Sequence, residues 1–162
     1  MVLDELALKM IAFDGGTPKR IQHFLKVHNF ARLIANGEGV DASTTFVIEA
    51  AALVHDIGIK ICMEKYGNCA GHLQEEEGPA LAQVMLEELG FDQKVIERVC
   101  YLVGHHHTYT NIDGIDYQIL VEADFLVNLF ENGSDLAAIQ NVGETIFKTA
   151  TGSKILHEMF GF

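Results

Sequence analysis

Ala50-Ala51-Ala52-Leu53-Val54-His55-Asp56-Ile57-Gly58-Ile59 decides the architecture. Five apolar residues in a row leave no polar face. With Phe46 and Ile48 before them they predict a deeply buried helix that ends at Gly58. An imidazole beside a carboxylate at a buried helix end is unfavourable unless something pairs with both. A divalent metal does so, taking the imidazole lone pair and one carboxylate oxygen. The alternative is a surface aspartate beside a histidine satisfied within the protein.

On either side of this segment apolar residues recur at helical spacing, and no stretch sustains a period of two. A short helix is expected over residues 3–13, ended by Gly15-Gly16. Thr17 and Pro18 open a second, which Gly37 and Gly39 close. Asp41 or Ser43 opens the apolar one. A loop is expected over 59–71, then helices over 74–89, 93–106 and 116–131 and a seventh after Ser134, with a short tail to Phe162. The fold class is all-α. The expected organisation is one domain over 1–162, with a core at about 20–128 and a helical C-terminal extension over 129–162.

Composition narrows the partners. The 162 residues are 49% hydrophobic with two prolines, enough apolar material for one buried core. No apolar run reaches the length of a membrane span. Eleven Lys and Arg against 23 Asp and Glu give a net charge of −12. Without a basic stripe to displace counterions, a nucleic-acid polymer is not expected as partner, nor an anionic membrane. A small phosphorylated substrate stays compatible if a metal supplies positive charge. Acids in MVLDELALKM, where a secretion signal needs a basic start, and three cysteines without a CxxC suit a reducing cytoplasm.

Asp124 is the second chemical signal. It sits in ILVEADFLVNLF on the face of Leu120, Val121 and Val127, while Glu122 and Asn128 are assigned to outer faces. A carboxylate among such neighbours must be paired, protonated or coordinated, and few basic residues are available. On the second helix, His28 lies on or beside the stripe of Ile21, Phe24 and Leu25; His23, five positions earlier, is assigned to solvent. In the triplet His105-His106-His107, position 106 shares a stripe with Val99 and Val103 and so turns inward.

Taken in order, VHNFARLIA, AALVHDIGI, EEEGPALAQVML, VCYLVGHH and ILVEADFLV resemble the H…HD…D pattern of the HD-domain superfamily of metal-dependent phosphohydrolases. The resemblance covers about Arg20 to Asn128. It implies a compact bundle of about six to eight helices, with His28, His55, Asp56 and Asp124 on one metal and Asp56 bridging to a second in dinuclear members. Two departures stand out. A lysine usually follows the glycine of the dipeptide directly, whereas here Ile59 intervenes before Lys60. The position four before Gly78, a histidine in dinuclear members, is Gln74. His72 lies two residues before Gln74, and His106, then His105, are the other candidates for a second ion.

Histidine and carboxylate ligands suit Fe, Mn, Ni, Zn or Co, as one ion or two. Such an ion lowers the pKa of bound water and polarises a phosphoryl oxygen, so that hydroxide attacks phosphorus in line. Arg20, Lys60, Lys65 and Arg98 are candidate phosphate contacts, with solvated roles as the alternative. Glu75, Glu76 and Glu77 form an acidic helix start from which one, Glu77 included, could act as base. Two other classes stay open: a dinuclear-iron oxygenase of the same superfamily, and a non-catalytic regulatory module. Phe130, Phe147, Phe160 and Phe162 leave room for a homodimer patch.

Overall fold

The computed structural model describes residues 1–162 and is all-helical. Its elements are α1 (Val2–Phe13), α2 (Pro18–Gly37), α3 (Ala42–Val54), α4 (Ile59–Tyr66), α5 (Gly71–Glu88), α6 (Gln93–Val103), α7 (Ile115–Glu131), α8 (Leu136–Thr145) and α9 (Ala150–Phe160). No helix is long and apolar enough to cross a membrane.

The apolar stretch behaves as its composition dictates. Ala50 to Val54 are all buried, and α3 packs against α1, α2, α6 and α7. Its start is fixed by Asp41, whose Oδ1 accepts the Thr44 backbone N–H at 2.8 Å. Helix α2 lies between α3 and α7, and buries His23, Phe24, Val27, Ala31, Ile34 and Ala35. α5 and α6 pair as a hairpin, with α4 against α5, while α9 packs on α7 and α2 and α8 packs on α9.

Gly58 and Gly78 set the spacing between the end of α3 and α5. A Cβ on Gly58 would come within 3.1 Å of the Gln74 carbonyl oxygen and of the Gly78 nitrogen. One on Gly78 would lie 2.7 Å from Cγ1 of Val103 on α6. The second distance is too short for an extra carbon and the first leaves it little room, so the backbones at the end of α3 and in α5 meet here, with the Val103 side chain closing on Gly78.

Four expectations are corrected. Residues 59–66 form α4 rather than loop. Two turns with Cys62 as the only buried side chain show too little periodicity to be read. α6 stops at Val103, and residues 104–107 leave it as a turn. The C-terminal extension contains two capped helices: Asp135 accepts the Ala138 N–H and Thr149 accepts the Gly152 N–H. Glu122 is fully buried rather than outward, accepting from Thr149 Oγ1 at 2.7 Å, from the backbone N–H groups of Lys148 and Thr149, and from Gln118 Nε2. It ties the start of α9 to α7. Among the four phenylalanines of the suggested patch, Phe147 is buried and Phe130 is 66% exposed.

Candidate metal centre

Four side chains from three elements converge where α2, the end of α3 and α7 meet. His23 Nε2 lies 3.1 Å from Asp124 Oδ1, 3.2 Å from Asp56 Oδ2 and 3.3 Å from His55 Nε2. His55 Nε2 is 3.3 Å from Asp124 Oδ1 and 3.4 Å from Asp56 Oδ2. All but Asp56 are buried.

The other ring nitrogens set the tautomers. His55 Nδ1 donates to the Ala52 carbonyl at 2.7 Å, and His106 Nδ1 to that of Val103 at 2.8 Å, each reaching back three residues at a helix end. His23 Nδ1 donates instead to Glu131 Oε1 at 2.5 Å, and Lys26 Nζ stands 3.8 Å from the other oxygen of that carboxylate. Each imidazole therefore presents Nε2 to the centre, the nitrogen that carries the lone pair when the ring is neutral.

Asp56 faces two ways. Its Oδ2 belongs to the cluster with His23 and His55, and its Oδ1 lies 3.3 Å from His106 Nε2. His107 joins that second side. Gln74 orients it: Gln74 Nε2 donates to the Cys69 carbonyl at 2.7 Å, which leaves Oε1 to accept from His107 Nε2 at 3.0 Å. The His107 lone pair is then on Nδ1. Glu75 holds the turn by accepting the His107 N–H at 3.2 Å and the Thr108 hydroxyl at 2.9 Å, and the Tyr117 hydroxyl lies 2.8 Å from the His105 carbonyl oxygen.

The electrostatics match a cation site. Burial alone would lower the His23 imidazole, but hydrogen bonds to Asp124 and Asp56 raise it to about 10. Burial would likewise raise Asp56 and Asp124, yet the facing His55 holds both well below the usual carboxylate range. Burial and the neighbouring His106 lower His107 to about 4, keeping it neutral. His106 Nε2 is buried with no hydrogen-bond partner. Inward-facing ring nitrogens, two carboxylates and one orphaned nitrogen fit a divalent transition metal by their donor chemistry, the metal taking the place of the proton on His23.

Several residues singled out in the sequence lie elsewhere. His28 Nε2 pairs with Glu49 Oε1 at 3.0 Å and is 24% exposed. Five residues separate it from His23, about 140° around the helix, so the two cannot share a face. His23 heads the buried row His23, Val27, Ala31, Ala35, and stepping back four residues from Val27 would have found it. His105 stacks on Tyr101 and donates Nδ1 to the Tyr101 carbonyl; His72 is exposed and joins neither cluster. Lys60 Nζ reaches the Phe13 carbonyl oxygen, and Glu77 is taken up by Lys65 and Tyr66. Lys65 is thereby paired, and Arg98 is held by Asp113 and Asp116.

His28→Ala should therefore leave metal content unchanged and alter stability by about 1 kcal/mol, the loss of one half-buried hydrogen-bonded pair. His23→Ala should lose most of the bound metal. Metal analysis of the two purified variants separates them. The reverse result would mean the register of α2 is misplaced.

A cleft of about 480 Å³ opens over His23 and Asp56, between the first turn of α2 and the C-terminal end of α7. Thr17, Lys19, Arg20, Asn128, Glu131 and Asn132 line it, polar and charged residues that present much of their carbon surface to the cleft.

Histidines and aspartates converging from separate helices at the base of a polar cleft define a helical bundle built around a metal-ligating centre. The chain belongs to the HD domain family, whose profile matches residues 20–140. It is similar to the crystal structure of a predicted HD superfamily hydrolase from an uncultured Thermotogales bacterium. The likeness covers 99% of this chain and 84% of that one, at a TM-score of 0.66 and 26% identity. The search of curated proteins gave no significant match.

Proposed function

We propose that this chain is a metal-dependent phosphohydrolase acting on a small phosphorylated substrate. The observation that carries the reading is the inward convergence of His23, His55, Asp56 and Asp124 at the floor of a polar cleft. These four would hold one ion. Oδ1 of Asp56, His106 and His107 would hold a second, which takes the place of a ligand set built on a histidine at position 74. When bound, such a metal lowers the pKa of its water and polarises a phosphoryl oxygen.

The protein's own part is preorganisation. The Ala52 and Val103 carbonyls and Glu131 fix three imidazoles in their metal-binding tautomers before any ligand arrives. The polar and charged ends of the lining residues could meet a phosphoryl group, and metal charge would offset the carboxylates in an acidic chain.

The test is metal analysis followed by a panel of phosphomonoesters and phosphodiesters on the same preparation. One or two ions per chain with metal-dependent phosphate release is the expected result. Stoichiometric metal without hydrolysis, but with oxygen consumption by the iron-loaded protein, would favour the oxidative alternative. A chain that takes up no metal would be a binding module.

Metal removal should also destabilise the fold. At a free metal concentration 100 times Kd, binding adds about 2.7 kcal/mol. For a chain of this size that is about 5–11 °C in Tm. Thermal melts before and after chelation check it, and an unchanged melt with confirmed metal loss would rule out a stabilising site.

A further inference from the structure

We infer that Arg20 is the anion-binding residue of the cleft, receiving a phosphoryl group of the substrate between itself and the metal-bearing floor. The inference rests on the phosphohydrolase reading and adds the group that recognises the substrate. Arg20 precedes His23 by three residues on α2, so it stands one turn nearer the mouth on the same side. It lines the cleft together with His23 and Asp56.

Its hydrogen bonding is incomplete. Nη1 is buried and has no hydrogen-bond partner. The nearest acid is Asp14, 4% exposed, whose Oδ1 is 3.6 Å away, outside hydrogen-bond distance. Asp14 therefore supplies a countercharge that keeps the guanidinium in place without consuming its donors. The buried Nη1 lies on the Asp14 side, and the rest of the guanidinium, partly exposed where Arg20 lines the cleft, is engaged by no hydrogen bond. A guanidinium fork is the side chain that binds tetrahedral oxyanions in bidentate fashion.

The other cations named as phosphate contacts are engaged elsewhere: Lys60 reaches the Phe13 carbonyl, Lys65 pairs with Glu77, and Arg98 is held by Asp113 and Asp116. Across the cleft, Asn128 and Asn132 carry amide donors for further oxygens. The carboxylates facing the same space, Asp56 and Glu131, repel an anion. They confine it to the position between Arg20 and the metal.

The experiment is calorimetric titration of the metal-loaded protein with inorganic phosphate, comparing wild type, Arg20→Ala and Arg20→Lys, with metal content measured on each sample. Loss of a charge-assisted hydrogen bond should weaken phosphate binding by about 10–100-fold in Arg20→Ala. Arg20→Lys should fall in between, and metal content should be unchanged in both. Wild-type affinity in Arg20→Ala, with wild-type protein still hydrolysing phosphoesters, would overturn the assignment of Arg20 and leave the phosphohydrolase reading standing. Loss of metal in both variants would make Arg20 structural and overturn it equally. A wild-type protein that neither binds phosphate nor hydrolyses any phosphoester would overturn both.

Discussion

Asp56→Ala should empty both halves of the centre at once. Its two oxygens face different imidazole pairs, Oδ2 towards His23 and His55 and Oδ1 towards His106. It is the one residue common to both groups of ligand atoms. Losing an outer partner of a metal ligand lowers affinity or activity by about 10–100-fold, and removing the shared ligand itself should exceed that range. Asp56→Asn should be less severe for one side than the other, because an amide offers one acceptor oxygen where the carboxylate offers two. Metal stoichiometry and turnover on the substrate found in the panel are the readouts. If Asp56→Ala retains wild-type metal content, the shared-ligand arrangement is wrong.

The largest stability effect is expected far from the metal, at Gly152. A Cβ there would overlap Glu122 Oε1 and come within 2.6 Å of Thr149 Oγ1. Both atoms belong to the buried network that docks α9 on α7. The carboxylate cannot retreat without giving up hydrogen bonds in a dry environment. Gly152→Ala should destabilise the chain by about 3 kcal/mol, overpacking and network loss together. That corresponds to about 6–12 °C in Tm. Metal content at low temperature should be unaffected, since α9 contributes no ligand. A melting temperature within 2 °C of wild type would show that the network can rearrange.

The all-helical class and most helices were legible because long amphipathic segments with caps and glycine stops carry their own signal. Asp41 before α3 and Pro18 at the start of α2 are examples. His55, Asp56 and Asp124 stood out for a related reason: a polar residue amid Ala, Leu and Val contradicts its surroundings. His23 escaped because its neighbours Gln22 and Lys26 make that turn look solvated, and its burial depends on α7 and Glu131, about a hundred residues away. His107 was hidden by the assumption that α6 runs on to His106. The chain leaves the helix at Gly104, so helical angles no longer apply to the residues that follow. Glu122 differs in the opposite sense, since its partners Lys148 and Thr149 lie 26 and 27 residues further along the chain and nothing local announces them.

The contact of Gly58, Gly78 and Val103 makes these three positions one unit in substitution experiments. Alanine at Gly78 meets a stiff β-branched methyl, so its effect depends on what occupies position 103. Smaller residues at 103 would relieve it, and the two changes together should disturb the chain less than their separate effects sum to. The Val103 carbonyl also carries the hydrogen bond from His106, and Gly58 stands two residues after Asp56. A shift anywhere in this stack therefore alters the separation between the two sides of the centre. Two absent side chains act as the spacer that holds them in register.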